Sequence, residues 1–281
     1  MGIRKGSASI NAGTTKQARG NTGAEKKTRE KKPKMSTQDI ENKYGVRSKS
    51  LNYKINFKPL TDTQDIYYRM LKEKQITFCT GVPGSGKSFV CLSAALKLLA
   101  EDNEYKRILI VSPTVEAGNM ELGYLKGSKD EKIAPYLEAD FQTITDILQL
   151  NGNMSETILK DLIETKHIQG DCVNFMRGKT IKNTICIITE AENFNKQELW
   201  LLLSRVSPSS KYFINGDNRQ QDRKDIKGSQ QNGLKFAMDT LKNKIDKIGF
   251  CHFTKKDIVR DPIIEEIMNL WFEGENLNDE Y

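Results

Sequence analysis

Apolar positions are sparse over residues 1–50 and then gather into short blocks with two distinct periods. The segment IYYRMLKEK, 66–74, has helical spacing, and ITFCT, 76–80, is a brief apolar run closing on glycine, as a buried strand does. SFVCLSAALKLLAED, 88–102, is apolar on most faces and rich in helix formers, which predicts a buried helix. RILIVSP at 107–113 reads as a strand, TICIIT at 184–189 as a β-branched core strand, and KYFING at 211–216 as a fourth strand entering a turn. Further helices are predicted at 196–206, 233–241 and 261–272, and helical stretches near 143–150 and 156–166 within a mixed region from 114 to 177. Strands alternating with helices predict an α/β fold, a parallel sheet covered on both faces.

Composition narrows the class. No apolar run approaches the roughly 18 residues that a membrane-spanning helix needs, and the N-terminus has no apolar core of a secretory signal. Position 6 is Gly where a myristoylation pattern wants Ser or Thr. Cys79, Cys91, Cys172, Cys186 and Cys251 form no CxxC pair, and His167 and His252 complete no zinc set. Scattered, apolar-flanked thiols read as buried cysteines of a reducing compartment, so a cytoplasmic location is expected.

The formal charge of +7 is unevenly placed: residues 1–50 hold 13 basic and 4 acidic residues, which leaves −2 over the rest. The first 34 residues have almost nothing to bury, which predicts a disordered tail with its densest basic cluster, KKTREKKPK, at 26–34. The expected organisation is a disordered basic tail over 1–50 and one folded domain over 51–281. The tail reads equally as an arm for nucleic acid or as a solvated, solubilising segment.

The chemistry begins after the strand at 76–80, where GVPGSGKS at 81–88 fills G-x-x-x-x-G-K-[ST] in a strand–loop–helix context. Its glycines let backbone N–H groups converge on phosphates, and the helix that follows adds its N-terminal dipole. The candidate nucleotide-binding residues are Gly81, Val82, Pro83, Gly84, Ser85, Gly86, Lys87, Ser88 and Phe89. Lys87 is placed to reach the β- and γ-phosphates and Ser88 to ligate Mg2+. Past the strand at 184–189 come Thr189 and Glu190. A carboxylate there, beside the P-loop strand, can polarise an attacking water, which makes Glu190 the candidate base. Gln220, after the strand at 211–216, can face a γ-phosphate, and Gln64, 17 residues before Gly81, can pair with an adenine edge.

Over about residues 55–272 the chain resembles the PhoH-like ATPases, a P-loop group similar to the first core domain of superfamily 1 helicases. The resemblance rests on GVPGSGKS, SPTVEAGNMELGYLKGS at 112–128, IAPYL at 133–137, FMRGKTIKN at 175–183, ITEAEN at 188–193, LLSRV at 202–206, NGDNRQQD at 215–222 and HFTKKDIVRDP at 252–262. It implies a RecA/helicase-like P-loop fold, binding and hydrolysis of ATP with Mg2+, action on RNA or single-stranded DNA, and a ring-shaped homo-oligomer such as a hexamer. It also adds weight to Gln64 as an adenine contact and Gln220 as γ-phosphate sensor; Ser88 and Glu190 are the candidate metal-site residues. The chain departs from the pattern at two places: Thr189 stands where the family usually has Asp, and Glu192 where it has Gln. An uncharged hydroxyl at 189 should weaken Mg2+ binding, so hydrolysis is less secured than binding. This favours the alternative of a nucleotide-dependent switch or assembly module with slow or no hydrolysis.

Hydrolysis also calls for a cation over the developing γ-phosphate charge, an arginine finger worth about 10³–10⁵ in rate. The sequence ends at Tyr281, soon after its last predicted helix, so no second core domain is expected and the finger falls to this chain or a neighbouring copy. Arg205, Arg219 and Arg260 lie within the resembling motifs, with Arg205 and Arg260 placed for a subunit edge. SPT at 112–114 and the amides around Gly118 are the candidate contacts to a nucleic-acid backbone, the other reading of this segment being a rigid loop that supports the ATP site. A small-molecule kinase is disfavoured, because no acceptor lid or second arginine cluster is evident.

Overall fold

The computed structural model describes residues 51–113, 129–217, 219–223, 226, 232–261 and 263–271. The expected tail, 1–50, and the stretch from Thr114 to Ser128 lie outside these residues. Six parallel strands form one sheet: β1 (Ile76–Gly81), β2 (Arg107–Ser112), β3 (Ile168–Cys172), β4 (Thr184–Ile188), β5 (Ser210–Asn215) and β6 (Ile248–Phe253), in the order β3-β2-β4-β5-β1-β6. The helices are α1 (Asp62–Glu73), α2 (Lys87–Glu101), α3 (Lys129–Leu150), α4 (Ser155–Glu164), α5 (Lys196–Leu203), α6 (Gly233–Leu241) and α7 (Ile263–Trp271).

The sheet is buried on both faces, and successive residues of each strand enter different cores. Ile108, Ile110, Ile185, Ile187 and Phe213 pack with Leu71, Leu92, Leu96, Ile144 and Leu162, so α1 to α4 cover one face. Leu109, Val111, Cys186, Ile188, Tyr212 and Ile214 pack with Leu199, Leu202, Leu234 and Ala237, so α5 and α6 cover the other. This double coverage explains why β4 and β5 are near-continuous apolar runs rather than alternating ones. The five cysteines are all buried thiols. No described helix is long and apolar enough to cross a membrane.

Four strands were legible as apolar runs, and the two that were not are the sheet edges. β3, IQGDC, is short and polar, and β6, IGFCHF, alternates in burial because one side of an edge strand is less covered. α3 starts at Lys129, well before the predicted stretch, and carries Pro135 within its first turns. α1 starts before Ile66 because the Thr61 side chain caps it, accepting from Gln64 N–H. One expectation is corrected: the strand ending at Thr189–Glu190 does not adjoin the P-loop strand. β5 lies between them, and its exit is tied to β1 by Gly216 N–H donating to Cys79 O at 3.0 Å.

Candidate functional site

Because every strand runs the same way, the carboxyl ends of β1, β4 and β5 open on one rim of the sheet, where α/β folds bind ligands. At the end of β1, Gly81 has φ +133 and its Cβ position would overlap the backbone of Phe253, so glycine alone allows β6 this close. The loop is then braced from within: Ser85 Oγ donates to Val82 O at 2.8 Å, and Lys87 Nζ donates to Gly81 O and Val82 O at 2.7 and 2.8 Å. The ammonium keeps a third proton for another acceptor. Gly86 caps α2 in the left-handed region, φ 86, without a side-chain cap, which leaves the first N–H groups of α2 available to an anion. Exposed Ser88 and half-buried Phe89 follow in the first turn of α2.

Gln64 is buried behind this loop. Its Oε1 accepts Leu60 N–H at 2.9 Å and its Nε2 donates to Ser85 O at 3.0 Å, so it fixes the 60–64 turn to the P-loop. Each end of an amide has capacity for one more hydrogen bond. Phe57 stacks obliquely on Tyr68, with centroids 4.6 Å apart, and lies 6.5 Å from Phe89, which gives the cleft an apolar mouth.

The cleft has a volume of about 670 Å³, within the range of small-molecule sites. The P-loop forms its floor with Asn215, Gly216, Asp217 and Gln220 from the exit of β5, and Thr189, Glu190 and Glu192 from the exit of β4. Tyr136, Ala139, Asp140, Thr143, Asp146 and Leu150 of α3 make a wall that local sequence did not disclose. Arg260 also lines the cleft, following Val259, whose N–H donates to Gly84 O at 3.1 Å. Arg205 does not line it. Its Nε is buried with no hydrogen-bond partner among the described residues, and its charge acts on Tyr212 instead. Gln220 is exposed on the cleft, and its N–H closes the turn on Asp217 O at 2.9 Å. Arg219 N–H donates to Asp217 Oδ1 at 3.0 Å.

Five carboxyl groups line the cleft, Asp140, Asp146, Glu190, Glu192 and Asp217. Glu190 is exposed and held in the left-handed region, φ 50 and ψ 45, which for a non-glycine residue stores strain at the site. Glu192 is buried, accepts Asp217 N–H on Oε2 at 2.9 Å, and has its proton affinity raised well above the carboxylate range by burial first and then by its hydrogen bond to Glu190. A neutral Glu192 offers one donor and one acceptor, as the glutamine of the related pattern does. Burial also raises Asp217, opposed by the Arg219 N–H and the Lys87 charge. Asp140 is pushed up to about 7 by burial and then by the Glu190 charge.

A shell outside the cleft holds these groups still. Asn193 Oδ1 accepts Asp222 N–H at 2.9 Å, Asn232 Nδ2 donates to Glu192 O at 3.0 Å, and the Asn195–Glu198 capping box starts α5 beside them. Arg223 joins Glu198 at 2.7 Å to Asn193 O at 3.1 Å.

The oxygen donors fit Mg2+, which uses one or two carboxylates with phosphate oxygens and water. Among the described residues no group of three or more His, Cys, Asp or Glu could hold a metal ion unaided, so a cation here would depend on a phosphate ligand. Ser88, Glu190 and Asp140 are among the oxygen-bearing side chains that line the cleft, with Asp146, Thr189, Glu192 and Asp217. Ser112 Oγ, at the end of β2, is buried with no hydrogen-bond partner among the described residues, whereas Thr114 and Gly118 of the candidate nucleic-acid segment lie outside them.

A parallel sheet with a glycine-rich loop, lysine and helix N-terminus at one strand's exit, and acids at the next strands' exits, defines a P-loop fold of the ATPase type. The pattern of the PhoH-like protein family matches residues 56–272, and the chain belongs to that family. It is 30% identical over 216 residues to a PhoH-like protein of Synechocystis, covering 77% of this chain and 62% of the relative. It is 29% identical to a PhoH-like protein of Bacillus subtilis, covering 73% of this chain and 60% of the relative. It is 27% identical to Protein PhoH of Escherichia coli, covering 73% and 55%. The chain therefore spans about 60% of the length of these curated relatives. Among solved structures, the large terminase of a thermophilic bacteriophage aligns with a TM-score of 0.45 at 11% identity, covering 77% of this chain and 51% of the terminase.

Proposed function

We propose that the protein binds ATP with Mg2+ in this cleft and hydrolyses it in a cycle that acts on RNA or single-stranded DNA. The observation that carries the nucleotide reading is the pairing of the P-loop and open N-terminus of α2 with Glu190 and Gln220 across one cavity. In this reading the triphosphate lies along the loop amides, Lys87 neutralises the β- and γ-phosphates, and Ser88 with Glu190 holds the metal side. Glu190 orients the water, held by neutral Glu192, and Gln220 reads the γ-phosphate. The base enters between Phe57 and Phe89, with Gln64 at its edge. Arg260, already on the cleft, is the better placed cation for the transition state in its own subunit, and Arg205 is left for a neighbouring copy of a ring-shaped homo-oligomer. Nucleic-acid action rests on the helicase-like resemblance of the 112–128 segment.

The neutral Thr189 favours a second reading, a nucleotide-dependent switch that hydrolyses slowly and uses bound ATP to order an assembly. Turnover by the wild type and Lys87→Ala, each with and without oligo(A) and oligo(U), separates the two. The ATPase reading expects stimulation by one of these strands and a loss of about 10²–10³ in rate for Lys87→Ala. The switch reading expects no stimulation, and equal rates for both proteins contradict the catalytic assignment.

A further inference from the structure

Asp140 projects from α3 into the same cavity as Glu190, Thr189 and Ser88, yet it is only 8% exposed. Among the described residues no side chain or backbone group gives it a hydrogen bond or an ion pair. Its charge is felt by Glu190 at the exit of β4 and by Cys91, one helical turn along α2 from Lys87. α3 packs against α2, and Asp140 shares the cavity with Ser88 of α2 and with Glu190 at the exit of β4. A buried carboxylate facing a like charge, with no donor among the described residues, is an arrangement that a bound cation relieves. Thr189, 9% exposed at the end of β4, occupies the neighbouring position and can offer only a neutral hydroxyl.

We infer that Asp140 supplies the second carboxylate of a divalent-cation site in this cleft, in place of the charge that Thr189 lacks. The inference rests on the nucleotide reading above, since the remaining ligands are phosphate oxygens and water. It places the carboxylate on the helical wall instead of the strand end, so the metal is held from α3 across to α2. Asp140 would act on the cation directly or through one of its waters, and Ser88 would supply a hydroxyl ligand.

The test uses the full chain, ADP and Mn2+. Calorimetry measures ADP binding with EDTA and with Mg2+, and electron paramagnetic resonance counts Mn2+ held in the ADP complex. Asp140→Asn is expected to weaken Mn2+ in that complex by about 10–100-fold without weakening metal-free ADP binding. Adding Thr189→Asp to that variant is expected to restore Mn2+ binding. Asp140→Ser is measured alongside, so that a folding defect in one variant does not decide the outcome. Wild-type Mn2+ affinity in both neutral variants overturns the assignment, as does an equal loss of ADP binding with and without metal. Absence of ADP binding by the folded wild type in either buffer overturns the nucleotide reading and the cation site with it.

Discussion

Asp140, Glu190, Glu192 and Asp217 line the cleft together with Lys87, whose charge opposes the effect of burial on Asp217. Their environments differ: Glu190 is exposed, while Glu192 is buried and its proton affinity is raised by that burial. The cost of burying acids is measurable. The Asp140 carboxyl has an unfolded value near 3.8 and is pushed up to about 7 in the fold. A raised carboxyl favours folding fully below its unfolded value and loses that contribution as pH climbs through the folded value. In EDTA, the stability of Asp140→Asn relative to wild type should therefore grow by roughly 2–4 kcal/mol from pH 4 to pH 8, read from urea midpoints. A constant difference across that range contradicts the environment assigned to Asp140. Of these acids the sequence disclosed only Glu190 as a site residue, from its place after an apolar strand. Asp140 left no local mark, because it belongs to a helix whose nearest strands are distant in sequence.

The P-loop works because its neighbours fit it closely. Gly81 leaves room for the backbone of Phe253 in β6, and Gly86 lies 2.9 Å from Gln64 Nε2 at its Cβ position. Gly81→Ala meets fixed backbone and a positive φ, whereas Gly170→Ala, on edge strand β3, meets mainly the movable side chain of Leu137. Gly81→Ala should cost about 3 kcal/mol or more, and Gly170→Ala clearly less, by denaturant titration. Equal costs contradict the packing of β6 on the loop. The Asn195–Glu198 capping box adds a milder case: Asn195→Ala should cost about 1 kcal/mol and loosen the turn that carries Glu192. The loop, α2, β4 and β5 were legible because each buried element is an apolar block bounded by turn residues. β3 and β6 were not, since edge strands need only one well-covered side, and α3 was hidden by Pro135 and by charged residues at its start.

Over the whole chain, the parallel sheet gathers strand exits that are far apart in sequence into a single cleft, so the order of motifs along the chain becomes a ring of groups around one ligand. Arg260 reaches the cleft from the β6–α7 connection and Arg205 stands outside it. If the homo-oligomer supplies a finger in trans, light scattering with ATP and Mg2+ should show a species larger than a monomer. Mixing Lys87→Ala with Arg205→Ala should then recover turnover that neither variant has alone. Monomer mass throughout, with no recovery on mixing, contradicts the shared site. The basic cluster at 26–34 and the 114–128 segment lie outside the described residues, and their contribution to nucleic-acid affinity is read from the salt dependence of binding.

The most direct measurement is calorimetric titration of the full chain with ATP and Mg2+, repeated with Lys87→Ala. The account predicts a saturable heat for the wild type with one nucleotide per chain, and a binding isotherm weakened at least about tenfold when the ammonium is removed. Flat heats on folded wild type, or an unchanged isotherm for Lys87→Ala, contradict it.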